Sequence, residues 1–322
     1  MNDNQMPKPA KGAPASAPVD QPQPKVYDLS KFSDLIEVVR AGDDEILKQV
    51  QSYIDGVVAR YEGLGRYTVL FLYDDHDSIS QYHSNAIYNA ASAVVPSTDI
   101  LLIVQSAGGH VEPGYLISRT CKRLAKSKFV VAVPRQAKSA ATLIALGADE
   151  VHMGLMSELG PIDPQIGGYP ALGLSNALHK VAELACAYPE SAQMWATYLG
   201  NNLNLRHLGY LERLNESAGQ YAERLLTNKA AVLPAPHTPA SLASHLVTHY
   251  KDHGFVIDSD EALSLLGSGI IKTGTPEYKC ANEIFGVLYL LAMVMRLTAD
   301  KEFYYVGAVH GGMTIREVPK KK

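Results

Sequence analysis

Strand-like runs at 67–73, 100–104, 129–133 and 150–153 alternate with segments of helical pattern, and this alternation limits the possible folds more than any other feature. The runs are rich in β-branched and aromatic residues, which suits buried strands. A helix between successive strands predicts an α/β fold around a sheet with parallel components. After residue 160 the pattern changes. Long helices are expected over 172–226, a proline-rich link over 230–239, and further helices over 240–250, 260–266 and 277–297. The end of the chain, 303–318, reads as a β-hairpin turning at Gly311-Gly312. Residues 1–25 hold six prolines and few large apolar side chains, so a flexible tail is expected there.

Two segments in the parallel part carry chemistry. Ser106-Ala107-Gly108-Gly109 follows directly on a strand, and Ala137-Lys138-Ser139-Ala140-Ala141-Thr142 opens a helix. The glycine pair is not a phosphate loop, because Tyr115-Leu116 stand where a Lys-Ser/Thr pair is required, and no G-x-G-x-x-G follows. A tight strand-to-helix turn and an oxyanion hole both remain open. Ser139 also has two readings. It is an N-cap accepting from the following amides, or a nucleophile with small neighbours that leave room for a carbonyl. The helix start beside it favours developing negative charge.

The three ordered motifs S-A-G-G-H-V-E-P-G-Y (106–115), A-K-S-A-A-T-L-I-A-L-G-A-D-E-V-H-M (137–153) and S-E-L-G-P-I-D-P-Q (157–165) resemble the Clp-protease/crotonase superfamily. Within it they resemble the serine dehydrogenase proteinase family, related to signal peptide peptidase A. The resemblance covers 67–190, and 255–271 more weakly. It implies a spiral of ββα units, to which the residue pattern adds helices and the C-terminal β-hairpin. It divides the chain into a tail (1–25), a helical extension (26–66), a core domain (67–271) with a helical insertion at about 172–252, and a C-terminal helix and hairpin (272–322). It also implies Ser139 as nucleophile, with the N–H groups of Gly109 and Ala140 as the oxyanion hole. Gly108 and His110, in and directly after the glycine pair, would sit near any substrate, and His110 either contacts it or is simply exposed.

The base departs from the Clp pattern. Ile162 and Asp163 stand where a Clp-type histidine would be, so a Ser-His-Asp triad of that type is not expected. The Ser-Lys type of signal peptide peptidase A implies Lys180, which must be desolvated for its pKa to approach neutrality. A second alignment puts Asn176 there, and His179 is a further candidate. Lys138 adjoins the serine in sequence, where side chains seldom face each other. Asp163 either orients the base or holds a turn between Pro161 and Pro164.

The rest of the sequence narrows the alternatives. A net charge of −4 and a single basic run, 320–322, give no footprint for nucleic acid or an anionic membrane. His76 among Asp74, Asp75 and Asp77 reads as a solvated acidic loop rather than a metal site, since consecutive residues cannot converge on one ion. Cys121, Cys186 and Cys280 read as buried thiols. The apolar run 284–295 is shorter than the roughly 20 residues that span a bilayer. With no apolar leader, a cytoplasmic protein is expected. The expected function is peptide hydrolysis without a cofactor, in a homo-oligomer such as a trimer or hexamer. Tyr188, Tyr198, Tyr210 and Tyr221 suit subunit contacts or an ordinary half-buried surface. An acyl-CoA enzyme using the same two N–H groups and an inactive scaffold are the alternatives.

Overall fold

The computed structural model describes residues 25–93, 98–166 and 169–319. Most of the expected tail, 1–24, lies outside the described residues. Two helices, α1 (Phe32–Ala41) and α2 (Asp43–Arg60), lead into β1 (Tyr67–Asp74), α3 (Gln81–Ala93), β2 (Asp99–Ser106), α4 (Val111–Leu124) and β3 (Phe129–Ala132). Next come the short β4 (Gln136–Ala137), α5 (Ala140–Gly147), β5 (Glu150–Met153) and β6 (Glu158–Leu159). A two-residue pair, β7 (Gln165–Ile166) and β8 (Tyr169–Pro170), precedes α6 (Leu172–Ala187), α7 (Ala192–Asn202), α8 (Leu205–Leu226), α9 (Pro239–Thr248) and α10 (Ser259–Leu266). The chain closes with β9 (Ile271–Thr273), α11 (Pro276–Ala299), β10 (Lys301–Ala308) and β11 (Met313–Glu317).

The main sheet runs β11-β10-β1-β2-β3-β5-β9. Strands β1, β2, β3, β5 and β9 are parallel, and β10 lies antiparallel to β1 and β11. Successive side chains of a strand point to opposite faces. Leu70, Leu72, Leu102, Val104 and Val131 accordingly enter one core, under α4, α5, α8 and α9. Val69, Phe71, Leu101, Ile103 and Val130 enter a second, with α1, α2 and α11. Burial on both faces is why these strands read as unbroken apolar runs.

Beyond each long strand a short segment steps out of the sheet before the next helix. Ile79 bridges to Gly109, Ser106 pairs with Ala137, β4 pairs with β6, and Leu159 bridges to Ile257. This strand–short strand–helix repeat is the Clp/crotonase-like spiral of ββα units, with added helices and the C-terminal hairpin. The short strands β4, β6, β7, β8 and β9 are absent from the sequence reading because two or three residues carry no periodicity.

Two expectations are corrected. Cys121 and Cys280 are buried, but Cys186 is exposed on α6, which buries no residue. The apolar run 284–295 sits inside a helix of 24 residues, so α11 meets the length and composition of a membrane span. Its apolar face, including Ile284, Leu288, Leu291 and Met295, packs into the second core.

Candidate active site

The turns after β2 and β4 meet. Lys138 N–H donates to the Ser106 carbonyl at 3.0 Å, and Gly108 N–H donates to Ser106 Oγ at 3.1 Å. Gly108 has φ +104°, and a Cβ there would lie 2.6 Å from the Lys138 carbonyl oxygen and 2.7 Å from Ser139 Cβ. Gly109 has φ +154°, and a Cβ there would strike the backbone nitrogen of Ile79. The glycine pair is therefore required by close approach of three backbone segments.

Ser139 holds the N-cap position of α5 but does not cap it with its side chain. Its backbone sits at φ 52°, ψ −118°. A non-glycine residue held in this region costs of order 1–3 kcal/mol, and such residues cluster at functional sites. Ser139 is 9% exposed. Neither Gly109 N–H nor Ala140 N–H has an acceptor among the described residues.

Ser139 opens into a cleft of about 480 Å³, lined also by Gly108, Gly109, His110 and His253. His253 lies on the loop between α9 and α10. Its Nδ1 is 2.8 Å from Asp163 Oδ1, and the Asp163 carboxylate is almost fully buried. Asp163 Oδ2 accepts from Gln165 Nε2 at 3.0 Å. With Nδ1–H given to the carboxylate, Nε2 is the basic nitrogen of the ring. Lys138 Nζ donates to the Gly254 carbonyl at 3.0 Å and pairs with Glu158 at 3.2 Å. Leu159 and Ile257 exchange two backbone bonds, of 2.9 and 3.0 Å. The loop bearing His253 is thus tied by a lysine side chain and by the backbone of β6.

Part of the cleft lining is acidic. Asp74, Asp75, His76, Asp77 and Glu112 form it. Asp75, His76 and Asp77 are exposed, as expected of a solvated acidic loop, and Asp74 departs from that expectation. Asp74 is buried; burial raises its pKa, but bonds from His83 and the amides of Asp77 and His76 outweigh that and hold it below the ordinary carboxylate value. Asp75 accepts from Gln105 Nε2 at 2.9 Å, and Asp77 pairs with Arg316 at 2.6 Å. Among the described residues no group of three or more His, Cys, Asp or Glu is arranged to hold a metal.

Lys180 does not meet this site. Its side chain is 67% exposed on α6, is bonded to Glu183 at 2.9 Å, and does not line the cleft. Asn176 and His179 are likewise exposed on α6. The desolvation that a lysine base requires is absent at Lys180. Of the two readings of Asp163, its contact with the His253 imidazole fits the one in which it orients a base. His253, 114 positions beyond Ser139, was missed. No local motif marks it, because a lone histidine beside Asp252 and Gly254 looks like any surface turn.

The fold and this site define a Clp/crotonase-type α/β protein with a strained serine facing a glycine loop. Residues 37–185 match the family of ClpP-like SDH-type serine proteinases, the family that the motifs resemble. The match begins within α1, thirty residues before the segment on which the sequence resemblance rests. Two uncharacterized proteins of Methanocaldococcus jannaschii are similar to part of the chain. One is 32% identical over 136 residues, 42% of this chain and 46% of its own length. The other is 36% identical over 100 residues, 31% of this chain and 34% of its own. The chain thus matches less than half the length of these curated relatives. Two solved structures of the 1510-N membrane-bound stomatin-specific protease, one with a substrate peptide, align at 12% identity and a TM-score of 0.40. The alignments cover 80% of this chain and 88% and 93% of theirs.

Proposed function

We propose that the chain is a serine peptidase that works through an acyl-enzyme on Ser139. Ser139 Oγ attacks the substrate carbonyl carbon and its proton passes to His253 Nε2. The N–H groups of Gly109 and Ala140 receive the oxyanion. As the tetrahedral adduct collapses, the C–N bond breaks and the His253 proton leaves on the amine. Water then repeats the cycle, giving its proton to His253 and releasing the acid and Ser139. Asp163 holds the imidazole and balances its charge. Each oxyanion donor is worth roughly 10²–10³ in rate. His253 replaces the expected Lys180 in this reading.

One observation carries the proposal: a serine in a strained backbone touches a glycine loop in a cleft that also holds a carboxylate-bound imidazole. An acyl-CoA reading leaves the strained serine without a role. A fluorophosphonate probe tests the proposal. Labelling should be lost in Ser139→Ala, fall at least about 10²-fold in His253→Gln, and be unchanged in Lys180→Ala. Labelling of Ser139→Ala at the parental rate overturns the nucleophile, and loss in Lys180→Ala with retention in His253→Gln overturns the base.

We also propose assembly of like copies through the α6–α7 arm. Neither helix buries a residue, and Tyr188, Met194 and Tyr198 stand exposed on this arm. A monomer by sedimentation at micromolar concentration refutes this.

A further inference from the structure

The proposed reaction leaves unused a buried ionisable pair beside the glycine loop. Asp74 and His83 are each 3% exposed, and His83 Nε2 lies 3.1 Å from Asp74 Oδ2. Ser80 N–H donates to His83 Nδ1 at 3.1 Å, which makes Nδ1 an acceptor and puts the ring proton on Nε2, facing Asp74. The Ser80 hydroxyl reaches the same Nδ1 at 3.0 Å. Asp74 Oδ1 accepts from the amides of His76 and Asp77, both at 2.9 Å. One pair therefore cinches the segment 75–80 at both ends: at its start from β1, and at its close from the first turn of α3.

That segment touches the oxyanion loop. Ile79 N–H donates to the Gly108 carbonyl at 2.8 Å, and His110 N–H donates to the Ile79 carbonyl at 2.9 Å. These two bonds flank Gly109, whose Cα packs on the Ile79 backbone with no room for a side chain. The direction of the Gly109 N–H is set by Ile79, and Ile79 is set by Ser80, His83 and Asp74.

We propose that Asp74 and His83 are positioning residues for the Gly109 oxyanion donor. The inference rests on the reading of Gly109 given above. Removing a partner of a buried pair is costly, whereas replacing both by apolar groups is often neutral for stability. A pair that only held the fold would therefore be replaceable. A pair that aims a donor is not, because a donor must lie about 2.7–3.1 Å from the oxyanion.

The test separates rate of reaction from affinity. His83→Gln, Asp74→Asn and Ser80→Ala are labelled with a fluorophosphonate, and kinact and KI are determined separately. The first two should lower kinact by roughly 10- to 100-fold with KI within twofold, and Ser80→Ala by about threefold. A variant that only lowers the folded fraction reduces the labelled amplitude and leaves the rate constant alone. Amide hydrogen exchange gives a readout that needs no activity: the His110 N–H should exchange at least tenfold faster in each folded variant. Parental kinact and parental exchange at His110 overturn the inference. Faster exchange in a protein that never labels at Ser139 upholds the positioning and overturns the peptidase reading instead.

Discussion

Gly108→Ala tests whether the two loops depend on contact. The new Cβ would sit 2.6 Å from the Lys138 carbonyl oxygen and 2.7 Å from Ser139 Cβ, where ordinary contact begins at 3.4 Å. The glycine loop and the serine turn must then part by about 0.8 Å. The backbone at φ +104° adds about 1–2 kcal/mol for any residue with a Cβ. A misplacement near 1 Å at a reacting centre costs about 10²-fold in rate, or roughly 2.7 kcal/mol. The control is Gly42→Ala. Gly42 has φ +109° with nothing within 4 Å of its Cβ position, so it carries the backbone cost without the clash. Urea unfolding should show a loss of about 1–2 kcal/mol in both variants, with more in Gly108→Ala. Fluorophosphonate labelling of Ser139 should fall about 10²-fold in Gly108→Ala and stay within twofold in Gly42→Ala. If Gly108→Ala labels within threefold of the parent, the two turns do not form one catalytic surface.

Three further outcomes are expected. Asp163→Asn leaves the 2.8 Å contact to His253 sterically intact but removes the charge that fixes its tautomer, so labelling should fall at least about 10³-fold with little change in melting temperature; a fall under tenfold removes Asp163 from the reaction. Lys138→Met should free the Gly254 carbonyl and lower kcat about tenfold, while Lys138→Arg restores most of it; no recovery with arginine means that the amine itself takes part. Lys229 is 9% exposed and donates to the Leu146 and Ala148 carbonyls at the end of α5. Burial pushes its pKa down from 10.5 to about 7. Its folded form is therefore neutral where the unfolded chain still holds the proton. Unfolding takes up a proton between about pH 7 and 10.5, so stability should rise with pH across that window, by about 1 kcal/mol per unit. Urea unfolding at pH 7 and 9 should show this rise in the parent and lose it in Lys229→Met; a flat parental profile contradicts the burial argument.

How much of the site was legible follows from the range of each signal. Ser139 and the Gly108-Gly109 pair could be read because each lies in a short motif whose neighbours constrain it. The long strands and helices were legible because apolar side chains repeat at the period of the element they form. His253 was not legible. Its meaning comes from Asp163 and the cleft, brought to it from ninety residues away by the Leu159–Ile257 bridge. Lys180 shows the complementary limit. Counting along the chain fixes a distance in sequence, and whether a lysine is desolvated depends on what packs over it; among the described residues, the Lys180 side chain stays 67% exposed.

The amino-acid sequence alone therefore determined the α/β class, the order of strands and helices, the turn that bears the serine, and the glycine pair it needs. Those are local properties, set by side-chain period, small residues and backbone freedom. Tertiary structure alone decided that His253 joins the cleft, that Asp163 binds it, and that Asp74 and His83 stand behind the glycine loop. These are contacts between segments far apart in the chain, and they exist only once the sheet has stacked its strands.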